Sequence, residues 1–362
     1  MTQSSTIATE LHPSPVEAER RTEILADPGF GQYFPDHMFV SEWTPDAGWH
    51  AHRVKPYGPL SVDPATAVLH YAQEIFEGMK AYRHSDGSIW TFRPEINAKR
   101  FQLSAARLAL PELPVYDFLA AIHALVDVDR EWVPSGAEQS LYIRPFMFAS
   151  EVFLGVRPAK HVTFVVITSP AGPYFSSGVK PVSIWLSEHY DRAAPGGTGA
   201  VKCGGNYAAS LLPQQEAADN GCEQVVFLDA AEHASLEELG GMNVFLVYDD
   251  GTLVTPELNG SILEGVTRAS ILELADELGH KVDERKVGID EWREGVASNE
   301  IVEVFACGTA AVVTPISTLK WRGGEVSSGA DAGPVTLKIR QRLLDIQYGR
   351  VADDRDWMHR LV

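Results

Sequence analysis

The sequence contains little cysteine and no cysteine pairing pattern. Three cysteines occur in 362 residues, Cys203, Cys222 and Cys307, and no two of them form a C-x-x-C pair. An odd, scattered set of thiols is typical of a reducing compartment, and it excludes a disulfide framework or a cysteine-based zinc site. The histidines are dispersed and lack the H-E-x-x-H spacing of zinc enzymes. We therefore expect no metal ion and a cytoplasmic location.

Long apolar runs and an excess of positive charge are also absent. No run of about 18 apolar residues occurs, and the N-terminal stretch lacks the apolar core of a secretory signal, so no membrane span or signal is expected. Lys and Arg number 30 against 49 Asp and Glu, which gives a formal net charge of -19. Nucleic acids and anionic membrane surfaces are disfavoured as partners, because both require a basic patch.

The order of the predicted elements favours an α+β fold in two domains. Hydrophobic content is 45%, enough for a large core. Strands are predicted at 37–43, 89–93, 140–150 and 161–171, and helices from Pro94 and over 114–133. We predict an N-terminal domain over 1–172, an interdomain linker over 173–183 and a C-terminal domain over 184–362. Residues 1 to about 35 are predicted to form an arm that packs late or frays.

One glycine-rich segment, GGTGAVKCGGNY (196–207), carries a single lysine, Lys202. A phosphate-binding P-loop requires GxxxxGK followed by Ser or Thr, and this spacing does not match it. Two interpretations remain for the segment alone. It is either a surface turn with a solvated lysine, or a close-approach loop that presents a reactive amine to a cofactor.

Further segments supply what such a cofactor would need. In LEGVTR (263–268) a glycine precedes a predicted helix, so the amides of Val266 and Thr267 can bind an anion. The stretch SLEELGGMN (235–243) places two acids before a double glycine, and CGTA (307–310) is a small-residue turn. Each segment alone is also compatible with an ordinary turn or helix start. Together they match a cofactor with an aldehyde, a phosphate and a ring nitrogen.

The complete set of motifs resembles the branched-chain amino acid aminotransferases, which are pyridoxal 5'-phosphate (PLP) enzymes of fold type IV. The resemblance rests on GGTGAVKCGGNYAAS, EELGGMNVF, LEGVTRASIL and ACGTAAVVTPI in this order, and on flanking segments from FGQYFPDHMF (30–39) to DIQYGR (345–350). It implies a smaller N-terminal α/β domain and a larger C-terminal domain with a pseudo-barrel. It also implies a homodimer in which a loop at 153–158 closes the partner's pocket.

The resemblance assigns roles to individual positions. Lys202 matches the lysine that bonds to the cofactor aldehyde, Tyr207 the phenol beside the cofactor's phenolate oxygen, and Glu238 the carboxylate under the ring nitrogen. The phosphate site and ring contact match Arg100, Leu263, Val266, Thr267 and Thr309. The substrate pocket matches Phe30, Tyr71, Phe76, Tyr142, Arg144, Gly241, Ala310 and Ala311.

Two departures and two alternatives accompany this prediction. Gly241 stands where many relatives have threonine, and AAVV (310–313) replaces the C-x-x-C of the mammalian members. A D-amino-acid transaminase or an aminodeoxychorismate lyase would share Lys202, Glu238 and the phosphate site, but not the combination of Tyr71, Phe76 and the YIRP strand. A non-catalytic PLP-binding protein is the alternative of a different class.

Overall fold

The computed structural model describes residues 6–174, 179–329 and 331–362. Contacts between Cα atoms divide the chain into two units. The first unit comprises Met1–Tyr174, Lys202–Gly204 and Asp345–Val362, and the second comprises Phe175–Val201 and Gly205–Leu344. Residues 175–178 of the predicted linker lie outside the described residues.

Up to residue 174 the described chain forms eight strands, four α-helices and a short 3₁₀ turn at Arg130–Trp132. In chain order these are β1 (Ala8–Thr9), α1 (Ala18–Ala26), β2 (His37–Thr44), β3 (Gly48–Pro56), α2 (Ala67–Tyr71), β4 (Glu74–Phe76), β5 (Met79–Arg83), β6 (Ile89–Phe92), α3 (Pro94–Arg107), α4 (Val115–Val128), β7 (Ser140–Ala149) and β8 (Val162–Ala171). The predicted strands and the two long helices of this stretch are present.

The remaining elements are ten strands and four helices within the described part of the chain. They are β9 (Val182–Leu186), α5 (Gly204–Asp219), β10 (Gln224–Leu228), β11 (Leu236–Leu239), β12 (Asn243–Tyr248), β13 (Leu253–Pro256), α6 (Val266–Ala275), β14 (Val282–Arg285), α7 (Ile289–Ser298), β15 (Ile301–Gly308), β16 (Val312–Trp321), β17 (Gly324–Ser327), α8 (Pro334–Gln347) and β18 (Met358–Arg360).

The sheet of the first unit has the strand order β1-β3-β2-β8-β7-β5-β6-β18, with β4 paired to β7. Along β7 the odd positions from Leu141 are buried and the even positions from Tyr142 are partly exposed, as the period of two requires. The buried face holds an aromatic cluster in which Phe101 of α3 contacts Phe118 of α4 and Phe164 of β8. Pro94 opens α3, where its fixed φ is favourable and its missing N–H costs nothing.

The N-terminal arm is packed and not frayed over the described residues 6 to 35, which leaves only the first of the two predicted alternatives. Strand β1 pairs with β3, and the N–H of His12 donates to Nε2 of His37 at 2.8 Å. The N–H of Val16 donates to Asp36 at 2.7 Å. His37 is itself held by a buried bond from Nδ1 to Asp129, at 2.7 Å. The arm is ordered because two polar side chains at the start of β2 bind its backbone.

The sheet of the second unit has the order β11-β10-β9-β16-β15-β12-β13-β14, with β17 paired to β16. Its core consists of aliphatic side chains from these strands together with Trp292 and Val296 of α7. Two mixed sheets with helices confirm the predicted α+β fold. In the described residues no helix is long and apolar enough to cross a membrane.

Candidate active site

The backbone around Lys202 is held by three hydrogen bonds within the first unit. The N–H of Lys202 donates to Oγ of Ser104 on α3 at 3.0 Å, and its carbonyl accepts from the N–H of Phe76 at 3.1 Å. Two residues later the N–H of Gly204 donates to the carboxylate of Glu74. A Cβ at position 204 would collide with that carboxylate, so glycine is required there. The lysine is therefore a fixed point of the structure and not part of a loose surface turn.

The side chain of Lys202 is partly buried, and its Nζ lies 4.9 Å from the ring centroid of Phe76. Burial, followed by the positive charge of Arg100, lowers the pKa of Lys202 to about 8. The negative charge of Glu77 opposes that shift. An amine with this pKa is substantially uncharged near neutral pH, which is the state a nucleophile requires.

Arg100 is buried and bound to Glu77 through two parallel hydrogen bonds. Nε donates to one carboxylate oxygen at 2.7 Å and Nη2 to the other at 2.8 Å. Asn97, one turn earlier on α3, donates to the same carboxylate at 2.8 Å. Burial acts to raise the pKa of Glu77, but Arg100 and the hydrogen bonds outweigh it, so the pKa is lowered. Glu77 therefore stays ionised and fixes the orientation of the guanidinium.

Arg144, Tyr142 and Phe76 form one cluster on the partly exposed face of the first sheet. Nη2 of Arg144 donates to the hydroxyl of Tyr142 at 3.1 Å, and its Cζ lies 4.8 Å from the ring centroid of Phe76. The alternation along β7 places Tyr142 and Arg144 on one face. Phe30 contacts Tyr142 edge-on, with ring centroids 5.1 Å apart. Gly78 leaves room for the Tyr142 hydroxyl, which a side chain there would displace.

Tyr71 lies elsewhere in the first unit. Its hydroxyl donates to the carbonyl of Leu154 at 2.5 Å. Tyr71 therefore contacts the loop at 153–158. The other four predicted pocket residues of this unit contact one another; they are Phe30, Phe76, Tyr142 and Arg144.

In the second unit Glu238 is buried on β11 and bound at one carboxylate oxygen by two donors. Nη2 of Arg192 lies 2.6 Å from that oxygen, and the N–H of Leu263 donates to it at 2.8 Å. The same Nη2 contacts the carbonyls of Gly199 and Ser261. A single buried arginine thus connects the glycine-rich segment, the loop before α6 and the predicted ring-nitrogen carboxylate.

The start of α6 has the geometry of an anion site. Gly265 precedes the helix, no side chain of the described residues caps it, and both Val266 and Thr267 are buried. Asn243 packs against Gly265 so closely that a Cβ would not fit, and its Nδ2 donates to the carbonyl of Leu263 at 3.0 Å. The first amides of a helix bind anions through their unpaired N–H groups and the helix dipole.

Thr309, Ala310 and Ala311 form the turn between β15 and β16, also in the second unit. The next residue, Val312, has a φ of 61°, a strained conformation for a β-branched side chain. Cys307 precedes the turn, and burial raises the pKa of its thiol to about 12. This thiol is therefore unreactive at neutral pH.

Tyr207 lies on α5, and a Cβ at Gly241 would lie 3.5 Å from its ring. A side chain at position 241 would therefore contact the Tyr207 ring directly.

Sequence reasoning missed five residues that hold the predicted ones in place: Glu74, Glu77, Ser104, Arg192 and Asn243. Glu77 had a local signal, since it precedes a glycine inside FEGMK. Arg192 and Asn243 had none, because their partners are 7 to 69 residues away in the chain.

Comparison with known proteins identifies the family of the chain. The sequence pattern of the family described as amino-transferase class IV matches residues 74–319, which is more than half of the chain. The chain belongs to the class IV aminotransferases. It is therefore a PLP-dependent enzyme, and the resemblance found in the sequence is confirmed.

Relatives in this family are similar over almost the whole chain. The probable branched-chain-amino-acid aminotransferase of Streptomyces coelicolor is 58% identical, with 97% of this chain and 98% of that protein covered. The branched-chain-amino-acid aminotransferase of Mycolicibacterium smegmatis is 55% identical, with 94% of each chain covered.

Among solved structures, a branched-chain amino acid aminotransferase from the organism abbreviated T.th., with pyridoxamine 5'-phosphate, has a TM-score of 0.74 and 28% identity. The match covers 89% of this chain and 98% of that class IV enzyme. The same enzyme is described in complexes with N-(5'-phosphopyridoxyl)-L-glutamate and with 4-methylvaleric acid.

Proposed function

We propose that the enzyme transfers the amino group of L-leucine, L-isoleucine or L-valine to 2-oxoglutarate, giving the branched 2-oxo acid and L-glutamate. The observation that carries this proposal is the cluster in the first unit. In this cluster the amine of Lys202, whose pKa is lowered, lies beside the ring of Phe76. The guanidinium of Arg144 contacts the same ring. Relatives at 53–58% identity over nearly the full chain are named branched-chain-amino-acid aminotransferases.

Each unit by itself offers part of what PLP requires. The first unit has Lys202 for the aldehyde and the oriented guanidinium of Arg100 for a phosphate oxygen. The second unit has the buried Glu238 for the ring nitrogen. The second unit also carries the other residues that we propose to contact the cofactor, namely Tyr207, Leu263, Val266, Thr267 and Thr309. The tight approach at Gly265, at a helix start that no described side chain caps, fits a phosphate at this end of α6.

When bound, PLP supplies an aldehyde and a conjugated ring that takes up the negative charge left by α-proton removal. Lys202 then performs the proton transfer, since its uncharged Nζ can accept a proton from the substrate α-carbon and return it. The three backbone bonds around Lys202 limit its movement, which matters because a misplacement of about 1 Å can reduce a rate about 100-fold. Glu238, fixed by Arg192 and Leu263, supplies the negative charge that keeps a ring nitrogen protonated.

The substrate side chain is proposed to bind to the cluster of Phe30, Phe76, Tyr142 and Arg144, with Tyr71 at the loop edge. Aromatic rings suit a branched apolar group, and Arg144 suits the distal carboxylate of 2-oxoglutarate. Nε of Arg144 is buried and has no hydrogen-bond partner among the described residues, so the guanidinium retains a donor for an acidic ligand. Ala310 and Ala311, with the amide of Gly241, are proposed to receive the α-carboxylate. The T.th. relative is described with both a glutamate derivative and a branched apolar acid, in line with this dual use.

We also propose a homodimer in which the loop at 153–158 covers the partner's pocket. Val152, Leu154 and Val156 are 56%, 62% and 87% exposed, and Leu69 nearby in the first unit is 60% exposed. Arg157 is bound twice by Glu151 and lies 4.0 Å from the ring centroid of Phe153, so the loop is organised in advance. Exposed apolar side chains on an ordered loop fit a second copy of the chain. We place the protein in the cytoplasm, in keeping with three free, buried thiols.

The test is a coupled assay of leucine with 2-oxoglutarate, followed by light scattering to determine the mass in solution. The PLP-loaded protein should form glutamate, and Lys202→Ala should lose activity by at least about 1000-fold while retaining non-covalent cofactor. Borohydride reduction and peptide mapping should label Lys202. A label on another lysine, or no turnover of any branched-chain amino acid, would contradict the proposal. Leu154→Asp should yield a lower mass if the loop forms the dimer contact.

A further inference from the structure

Glu74 is a titratable side chain in the first unit whose charge has no role in the mechanism above. It begins β4, which pairs with β7 in the register Glu74↔Phe148 and Phe76↔Phe146. Cross-strand partners share a face, and so do alternate residues along each strand. Glu74, Phe76 and Arg144 therefore lie on the same partly exposed face.

Two contacts define the surroundings of this carboxylate. It accepts the N–H of Gly204 in a space too small for any Cβ on that residue. It also interacts electrostatically with Arg144, whose positive charge acts to lower the pKa of Glu74, although burial dominates and leaves the pKa raised. One carboxylate thus touches the backbone beside the reactive lysine and opposes the charge of the arginine in the substrate cluster.

We propose that Glu74 determines the balance between the two substrate classes of the enzyme. This inference rests on the proposed function of Arg144 as the group that receives a distal carboxylate. When a branched apolar substrate is bound, Arg144 has no ligand carboxylate beside it, and a desolvated cation without a counter-charge is costly. Glu74 supplies that counter-charge. When 2-oxoglutarate or glutamate is bound, the same charge repels the distal carboxylate and limits the affinity for dicarboxylates.

Glu74 has a second, separable contribution through Gly204. Its hydrogen bond fixes the start of α5, two residues after Lys202, and acts alongside Ser104 and the N–H of Phe76. Glutamine at position 74 keeps an oxygen that accepts this bond but removes the charge. Alanine removes both. The two substitutions therefore separate the electrostatic contribution from the positioning contribution.

The experiment measures binding of two non-reactive acids to the PLP-loaded enzyme by calorimetry, together with kcat and KM for leucine and 2-oxoglutarate. Glutarate represents the dicarboxylate and 4-methylpentanoate the branched acid. Glu74→Gln should tighten glutarate about fivefold and weaken 4-methylpentanoate about twofold, since one charge beside Arg144 is removed. Glu74→Ala should in addition lower kcat for both substrates about tenfold or more, because the Lys202 backbone loses one of its bonds.

Two controls distinguish this role from a structural one. Glu42→Gln removes a half-exposed carboxylate from β2 in the same sheet, where it pairs with Arg53, and should change neither affinity. In an Arg144→Met background, Glu74→Gln should no longer weaken 4-methylpentanoate binding, because the cation that needs the counter-charge is gone.

Equal changes for both acids in Glu74→Gln, or an unchanged weakening of 4-methylpentanoate in the Arg144→Met background, would overturn the inference. Those results require a wild-type enzyme that transaminates leucine with 2-oxoglutarate. An inactive wild-type enzyme would instead refute the proposed function.

Discussion

Glu237 and Glu238 are adjacent carboxylates on β11 with different partners. Glu238 is bound by Arg192 and by the N–H of Leu263. Glu237 accepts from the hydroxyl of Ser261, while its second oxygen is buried without a partner among the described residues. Burial raises the pKa of Glu237. The Glu237 carboxyl group therefore holds a proton more readily than a carboxyl group in water.

Substitution of the two acids should therefore have unequal effects. Glu238→Gln removes the negative charge proposed for the ring nitrogen and should slow the leucine half-reaction about 100-fold or more. Glu237→Gln replaces a poorly solvated carboxyl group by an amide that still accepts from Ser261, and should slow it less than about threefold. Single-turnover absorbance measurements on both variants decide the matter. Equal losses would mean that Glu237 also takes part in the reaction.

The lowered pKa of Lys202 predicts a distinctive pH profile. Because the pKa is about 8 and not 10.5, the uncharged amine should accumulate as the pH rises through 8. In protein freed of cofactor, cyanate should modify Lys202 with a midpoint near that pH. Between 8 and 10.5 the unfolded chain binds a proton that the folded chain lacks, so stability from this group rises with pH. A Lys202 midpoint near 10.5, the ordinary value for a lysine, would refute this prediction.

At the scale of elements, helix α8 depends on a carboxylate from a strand. Glu303 of β15 accepts the N–H groups of Val335 at 3.0 Å and Thr336 at 2.8 Å, and the hydroxyl of Thr336 at 2.7 Å. Gly333, just before α8, lies so close to the Glu303 carboxylate that a side chain at position 333 would collide with it. A buried acid at a helix start satisfies amides that have no partner inside the helix and complements the helix dipole.

Glu303→Ala should accordingly destabilise the protein. The expected loss is about 2 kcal/mol of the free energy of unfolding, since buried donors at the start of α8 lose their acceptor. Urea denaturation followed by tryptophan fluorescence measures it. Glu300→Ala, at an exposed position just before β15, is the matched control and should change the midpoint little. A similar shift in both variants would argue against the capping role.

The sequence predicted the elements with strong periodicity and missed those held by distant contacts. Helices α3, α4 and α6 have clear apolar faces or start signals, and they were expected. Helix α1 has the charged sequence AERRTEILA with Ile24 as its buried residue, so its pattern is weak. Lys202 and Glu238 could be assigned because their motifs are local. Arg192, the partner of Glu238, could not, since a salt bridge across 46 residues leaves no mark on the sequence pattern.

At the scale of the whole molecule, the first unit is built from three separate segments of the chain. The predicted division assigned Lys202 and residues 345–362 to the second domain, whereas their contacts group them with the first unit. The last strand, β18, pairs with β6, and the N–H of Leu361 donates to the carbonyl of Ile89 at 2.8 Å. Arg93 stacks on the indole of Trp357 at 4.5 Å.

Removal of residues 357–362 should therefore destabilise the first unit and leave the second nearly unchanged. Without β18, the backbone groups of β6 that face away from β5 lose their hydrogen-bond partners. The ring of Trp357 also no longer covers Phe92. Hydrogen exchange should become at least about tenfold faster for residues 89–92. Exchange in β10 of the second unit serves as the internal control. Faster exchange in both units would indicate global unfolding and contradict a local role for β18.

The pairing of β6 with β18 also has a consequence for biosynthesis. A ribosome delivers the chain from its N-terminus, and domains made of one continuous segment can fold as they emerge. Here the edge strand that completes the first sheet follows the entire second unit in sequence. On the nascent chain, β6 therefore remains an open sheet edge while residues 93–357 are translated, and an open edge can pair with other strands. Shielding of that edge by a chaperone, or rapid folding of the second unit, would limit misassembly during this interval.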